Sequence, residues 1–287
     1  MATILAVGIA TLDIINTVAC YPAENDEVRA LSQQQVRGGN ATNTLTVLSQ
    51  LGHQSHWAGV LIDEPDADII KQALHRYQID FSHCQYLTEG KVPTSYITLN
   101  EATASRTIVH HRDCPELSFD HFKTLKLEQF DWVHFEGRNI SELKKMLVWL
   151  KQQYPALPCS LEIEKPRNGI EALFELPDVL MFSKPYAQSR GYDDAATFLG
   201  SLAETAIMSC SWGESGAWLK HNNAIVHSPA FPPERVIDTL GAGDTFNAGL
   251  ISALVQKQTA QQALTYACQL AGKKCGQTGF DNLLASS

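Results

Sequence analysis

Asp238-Thr239-Leu240-Gly241-Ala242-Gly243-Asp244-Thr245-Phe246-Asn247-Ala248-Gly249 joins an extended segment, Glu234 to Ile237, to an apolar stretch of helical spacing from about Phe246 to Gln256. Small residues at a helix start let the backbone approach a ligand, and N–H groups of a first turn have no intrahelical acceptor. Those donors and the helix dipole favour an anion. Asp244 sets a carboxylate in the same turn. A first-turn aspartate commonly serves as a cap. Beside an anion site it has a second use, taking the proton of an alcohol while the amides hold the charge on a transferring phosphoryl group. Asp244, Gly241, Ala242 and Gly243 are therefore the candidate catalytic set.

Outward from this stretch the chain alternates strand and helix. Strand patterns fall at Thr3 to Gly8, Ser55 to Val60, Pro93 to Leu99, Ser105 to His110, Trp132 to Glu136, Pro158 to Ile163, Val179 to Phe182 and Thr205 to Ser209. Helical patterns fall near Asp66 to Tyr77, Ser141 to Gln153, Gly169 to Phe174 and Asp193 to Ala203. The alternation predicts an α/β fold: a mostly parallel sheet with helices on both faces. Two hairpin-like regions break it. In the first, Leu12 to Val18 and an alternating Glu27 to Ser32 flank a turn-rich tip; the second runs from Val92 to His110. They predict a small β-sheet lid, with inserts at about 12–34 and 92–111 of one domain spanning 1–287. A hairpin at Ala217 to His227 precedes the central motif, and a last helix, roughly Thr259 to Lys274, carries a core stripe of Ala263, Leu264, Ala267, Leu270 and Ala271.

Three further positions stand out. Asp13 interrupts an apolar run, which is costly unless the carboxylate is paired or faces a ligand. Gly38-Gly39-Asn40-Ala41-Thr42-Asn43 opens a helix that Gly52 closes. Asn40 and Asn43, three apart, share one face; Asn40 suits an N-cap, and both amides suit sugar hydroxyls, which they can donate to and accept from. Gly38 and Gly39 leave space for a ligand.

The 287 residues are 44% hydrophobic and 18% charged, with net charge −9, which gives no bulk attraction for nucleic acid. No apolar run reaches membrane-span length, and the first residues read as a strand rather than a cleavable signal. Seven scattered cysteines without a Cys-x-x-Cys pair predict reduced thiols in a cytoplasmic protein and no zinc framework. His110 and His111 are adjacent, and strand neighbours point apart, so no shared metal is expected there. Glu162 and Glu164 read as a structural ion cluster with Lys165 or Arg167. No Gly-x-x-x-x-Gly-Lys-Ser/Thr string occurs, and no Gly-x-Gly-x-x-Gly follows the first strand, so P-loop and dinucleotide-binding classes fail.

The Asp238–Asn247 string resembles the second signature of the ribokinase-like (PfkB) carbohydrate kinases, and Gly38–Asn43 resembles the first. Arg37–Ala41, His134–Asn139, Glu162–Arg167, Ala230–Pro233 and Ala271–Gly276 resemble the ketohexokinase branch, in the same order over essentially the whole chain. The resemblance implies a three-layer α/β/α ribokinase-like fold and transfer of the γ-phosphoryl of ATP, with Mg2+ and stimulation by K+, to the 1-hydroxyl of fructose. Asp244 would be the base. Asp13, Gly39, Asn40, Asn43 and Arg106 would contact the sugar; Lys184, Trp212, Glu214, Gly216, Phe246 and Cys275 would surround the nucleotide. Asp238 and Leu240, with carbonyls of the Gly276–Gly279 loop, would hold potassium, and a homodimer would form through crossed lid sheets. Two departures are visible: Ser183-Lys184-Pro185-Tyr186 stands where many members carry Asn-x-x-Glu for magnesium, and Asn25, with Asp26 beside it, stands where the branch has a lid acid. Other acceptors (ribose, tagatose, adenosine) and a silent sugar or nucleotide sensor are the alternatives.

Overall fold

Strand β1 (Thr3–Val7) shows how this sequence makes two faces. Successive strand side chains point to opposite sides, and here Ile4 and Ala6 enter one apolar core while Leu5 and Val7 enter another. The computed structural model describes residues 1–103 and 105–284; residues 104 and 285–287 of the expected 1–287 unit lie outside the described residues.

From β1 the chain runs through β2 (Thr11–Val18) and β3 (Ser32–Gly38) into α1 (Asn40–Gln50), β4 (Gln54–Ala58), β5 (Val60–Ile62) and α2 (Asp66–Arg76). Short strands β6 (Ile79–Asp80) and β7 (Gln85–Leu87) precede the hairpin of β8 (Lys91–Asn100) and β9 (Arg106–Asp113). Next come α3 (Phe119–Phe122), β10 (Trp132–Glu136), α4 (Ile140–Gln153), β11 (Cys159–Ile163), β12 (Val179–Ser183), α5 (Lys184–Ser189), α6 (Ala195–Ser201) and β13 (Ile207–Ser211). The hairpin β14 (Ala217–His221) and β15 (Ala224–Ser228) leads to α7 (Ala242–Val255) and α8 (Ala260–Cys275).

Nine strands form the central sheet in the order β15-β14-β13-β12-β11-β10-β1-β4-β6. From β6 to β13 the pairs are parallel, and β14 and β15 add an antiparallel edge. One core holds the buried faces of α1, α2, α7 and α8; the other holds those of α3 to α6. A second sheet, β3-β2-β8-β9, is the expected lid, and pairs Asp13 of β2 with Val36 of β3 and Ser95 of β8.

Several boundaries differ from expectation. The alternating Glu27 to Ser32 is not a strand; β3 is the polar run Ser32–Gly38, so the first insert ends later than residue 34. Its outer residues face solvent and need no apolar alternation. The predicted Ser55–Val60 strand breaks at Gly59, where a Cβ would lie 2.3 Å from the Trp57 ring and 2.6 Å from the Gly8 carbonyl. Gly169–Phe174 is a single 3-10 turn, Ile170–Leu173, and Glu234–Ile237 forms no strand. The short helix α5 was not expected from pattern; Ser183 caps it by accepting from the Tyr186 N–H. In α1 the cap position is Gly39, at φ 104, and Asn40 is the first helical residue, which removes the capping reading of Asn40. Gly52, at φ 84, follows the helix end as predicted. Ala263, Leu264, Ala267 and Leu270 are core, whereas Ala271 lines a cavity.

Candidate active site

Helix α7 begins beside the carboxyl ends of the central parallel strands and meets α1 there. Gly241 precedes it in the left-handed region, φ 78, and a Cβ there would sit 2.3 Å from the Phe280 ring. Thr239 O accepts from the Ala242 N–H and Gly241 O from that of Thr245. Between them, the N–H groups of Gly243 and Asp244 find no backbone acceptor among the described residues. They are the donors a helix start offers an anion.

Asp244 is 6% exposed and accepts at 2.8 Å from the Asn43 amide of α1. Asn43 is itself held by a residue the motif reading had left out of the site. The buried Arg37 donates to the Asn43 carbonyl oxygen (3.0 Å), to the hydroxyls of Thr42 (2.6 Å) and Thr46 (2.8 Å), and to Gly38 O (3.4 Å). By occupying that oxygen it leaves the amide NH2 pointing at Asp244. Burial pulls the Arg37 guanidinium down to about 10, which still leaves it charged at neutral pH.

Asn40, one helical turn earlier, donates to Glu162 and Glu164, both at 3.2 Å. Glu162 also accepts from Asn247 at 2.9 Å and has no cation partner among the described residues. The expected ion cluster therefore reduces to Glu164 with Lys165, at 3.5 Å. Glu136 lies close by, bonded to the Ile9 N–H and Arg138. Glu136, Glu162 and Asp244 are out of water, whereas Glu164 stays partly exposed. Burial first, then repulsion from Asp244, Glu136 and Glu164, pushes Glu162 well above the carboxylate range. Asp244 is pushed up to about 7, chiefly by burial and then by Glu164 and Glu136, against the opposing hydrogen bond from Asn43.

A cavity of about 550 Å³ opens over these groups, floored by Asn40, Asn43, Glu162 and Asp244 and roofed by the lid residues Asp13, Arg106 and His110. Asp13, 9% exposed, accepts from the Thr11 hydroxyl at 2.8 Å, and burial raises its carboxyl. Gly38 serves Asp13: a Cβ would stand 2.1 Å from its carboxylate. Gly39 avoids Ile9 O, 2.3 Å from its would-be Cβ. Gly38 thus makes room for Asp13, whereas Gly39 also lines the cavity. Arg167 lines the same cavity, and its buried Nε has no hydrogen-bond partner among the described residues.

A second, more apolar cavity of about 530 Å³ adjoins the first, bounded by Lys184, Glu214, Gly216, Phe231, Phe246 and Cys275. Gly243, Thr239, Ser183, Ser211 and Arg106 line both, so the start of α7 is their seam. Trp212 lines neither; it is 7% exposed within the core, and its ring faces the Lys184 ammonium at 5.6 Å. Asn25 and Asp26 also line neither cavity; they stand exposed at the lid tip.

The loop before α7 is tied to α8 by Lys274, which is fully buried. Its ammonium donates to Asp238 O (3.1 Å), the Asp238 carboxylate (3.0 Å) and Gln277 O (3.4 Å). The Asp238 carboxylate also accepts from the Leu240 and Gly279 N–H groups.

Comparison with known proteins agrees with this geometry. Residues 1–285 match the family described as pfkB family carbohydrate kinase. The chain is 41% identical over 293 residues to ketohexokinase of Mus musculus, the match covering 98% of each protein. It is 27% identical to fructosamine kinase FrlD of Bacillus subtilis (strain 168), over 84% of each. Ribokinase of Arabidopsis thaliana, solved with ribose and ATP, superposes with a TM-score of 0.82 at 18% identity, covering 100% of this chain and 99% of that one, a likeness of fold.

Proposed function

We infer, for a chain that belongs to the pfkB family of carbohydrate kinases and is an ATP-dependent sugar kinase of ketohexokinase type, that its acceptor is the C1 hydroxyl of fructose or a related ketose. The observation that supports this most is the position of Asp244. Its carboxyl is buried at the seam between a polar cavity of sugar size and an apolar one suited to an adenine nucleotide, beside two free helix-start N–H groups.

The sugar enters under the lid, where Asp13 and Arg106 face Asn40 across the cavity. Gly39 fixes the turn that sets Asn40 in place. Asn43 holds Asp244 and takes part in orienting the primary hydroxyl against it. Asp244 removes the hydroxyl proton as the bond to the γ-phosphoryl forms, and the turn through Gly241, Ala242 and Gly243 presents the Gly243 and Asp244 N–H groups to the charge on the transferring oxygens. Lys184, Glu214, Gly216, Phe246 and Cys275 enclose the nucleotide. Trp212 supports this wall from behind, through Lys184. Lid closure excludes water that would otherwise accept the phosphoryl group.

Magnesium, which such a reaction uses to neutralise the β- and γ-phosphates, takes oxygen donors and keeps much of its water. Ser183–Tyr186 offers it no carboxylate, whereas Glu162 and Glu164 are oxygen donors in the cleft that would hold it with the phosphates. Potassium does not fit in the same way. The Asp238 carboxylate and the Asp238 and Gln277 carbonyls, expected to coordinate it with Leu240, are bonded to the Lys274 ammonium, and a second cation among them would be repelled.

A homodimer through the lid is supported by exposed apolar residues on that sheet, among them Val36, Tyr96, Ile108 and Val109. A cytoplasmic setting is supported by seven free thiols. No helix among the described residues is long and apolar enough to cross a membrane.

ADP release measured against fructose, tagatose, ribose and adenosine tests the acceptor. Turnover is expected to be highest with fructose. A preference for ribose or adenosine would transfer the assignment to another acceptor, and sugar binding without ADP release from any of the four would establish a sensor. The pH profile is a second test. The base works ionised, so kcat/KM is expected to fall as pH drops through about 7 and to level off above it. Glu164→Gln removes a like charge from beside Asp244, so the acid limb is expected to move to lower pH. A limb that stays in place would detach the profile from Asp244.

A further inference from the structure

At the edge of the central sheet farthest from β15, parallel pairing of β4 with β6 sets His56 directly opposite Asp80. The turn after β6 brings back His83, and one ligand atom from each of the three lies within 4.8 Å of the other two. The first cavity, the second cavity and the loop before α7 use none of them. From these positions we infer a second, non-catalytic site: a zinc-class divalent ion held by His56, Asp80 and His83.

The chemistry of the set is specific. Two imidazoles and one carboxylate are donors that a borderline ion such as Zn2+ prefers and Mg2+ or Ca2+ does not. The spacing agrees. His56 Nδ1 and Asp80 Oδ2 are 3.4 Å apart, and two ligands at about 2.0–2.1 Å from a tetrahedral ion stand about 3.3–3.4 Å from each other.

The ligands are also held in place. Asp80 accepts from the Ser82 N–H through Oδ1 at 2.7 Å, which leaves Oδ2 toward His56. His83 is anchored through its carbonyl, which accepts from the His121 ring at 3.0 Å. Both imidazoles pack edge-on against the buried Phe130, at 5.2 and 5.4 Å. Such outer contacts orient metal ligands.

An ordinary ion pair does not account for the arrangement. His56 Nδ1 is buried and has no hydrogen-bond partner among the described residues, although Asp80 lies close by. Asp80 is half exposed, giving the ion a route in and a place for a water as fourth ligand. The ion would tie the two-residue edge strand β6 and its turn to β4, closing the open end of the sheet.

The test uses the full chain, stripped with a chelator, incubated with Zn2+ and desalted, then assayed for metal by mass spectrometry. One equivalent per chain is expected, with a rise in Tm of a few degrees, and an excess of Mg2+ should not displace it. Co2+ in place of Zn2+ should give the visible bands of a low-coordinate site. Asp80→Asn and His83→Ala should each lose the retained metal and the Tm rise while kinase activity, which reports folding, persists. No retained Zn2+ in the parent chain overturns the inference. So does retention unchanged in both variants, which would assign the metal to other histidines.

Discussion

Asp244→Asn is expected to fold as the parent does and to lose kcat by about 10³-fold, the middle of the range a positioned base contributes. The variant's amide oxygen can still accept the Asn43 hydrogen bond that spans 2.8 Å in the parent. It also removes a carboxyl whose charged form is strongly disfavoured by burial, so stability at neutral pH should hold or rise. What it cannot do is take a proton. Sugar affinity should change little, because Asp13 and Asn40 remain. Circular dichroism, Tm and a coupled ADP assay separate these effects. A rate within tenfold of the parent would remove Asp244 from the role of base.

Gly243→Ala is the second large effect, and it separates chemistry from folding. A Cβ at Gly243 would meet no protein atom within 4 Å, and the residue lies in the first turn of α7 with ordinary helical φ. Alanine is the better helix former by about 0.8–1.0 kcal/mol in a helix interior, so Tm should stay level or rise. The added methyl nevertheless stands in the seam between the two cavities, where the phosphoryl group must pass. A displacement of about 1 Å there is expected to cost about 10²-fold in kcat. Gly241→Ala should behave differently, losing stability as well, because its φ is 78 and its Cβ would strike Phe280. A Gly243→Ala enzyme of parental activity would place the phosphoryl path elsewhere.

The residues behind these predictions were legible because their chemistry is local. Gly241, Gly243 and Asp244 lie in one turn, so spacing alone joins an anion site to a carboxylate. The sheet was legible for a related reason: strands buried on both faces read as short apolar runs. Arg37, by contrast, acts through Thr42, Asn43 and Thr46 of α1, and nothing in a Gln-rich strand marks that arginine as buried. A mostly polar run hid β3 as well. Glu162 was read as a structural ion because Lys165 and Arg167 follow it. Those neighbours lie past the end of β11 and do not share its buried environment, and the glutamate bonds instead to Asn40 and Asn247 from two distant helices. Trp212, set at the nucleotide by the family resemblance alone, lies in the core behind Lys184. Lys274 could not be placed by spacing, since its partner Asp238 is 36 residues away.

The central step is Asp244 delivering a sugar oxygen to a phosphoryl group held at the start of α7. Phosphorus NMR of the chain with magnesium, ATP and fructose tests that most directly. The expected spectrum shows ADP together with a new phosphomonoester resonance coupled to the two C1 methylene protons, and neither above background over the same interval with Asp244→Asn. A phosphomonoester formed at an equal rate by Asp244→Asn, or ADP accumulating with free phosphate and no sugar ester, would contradict it.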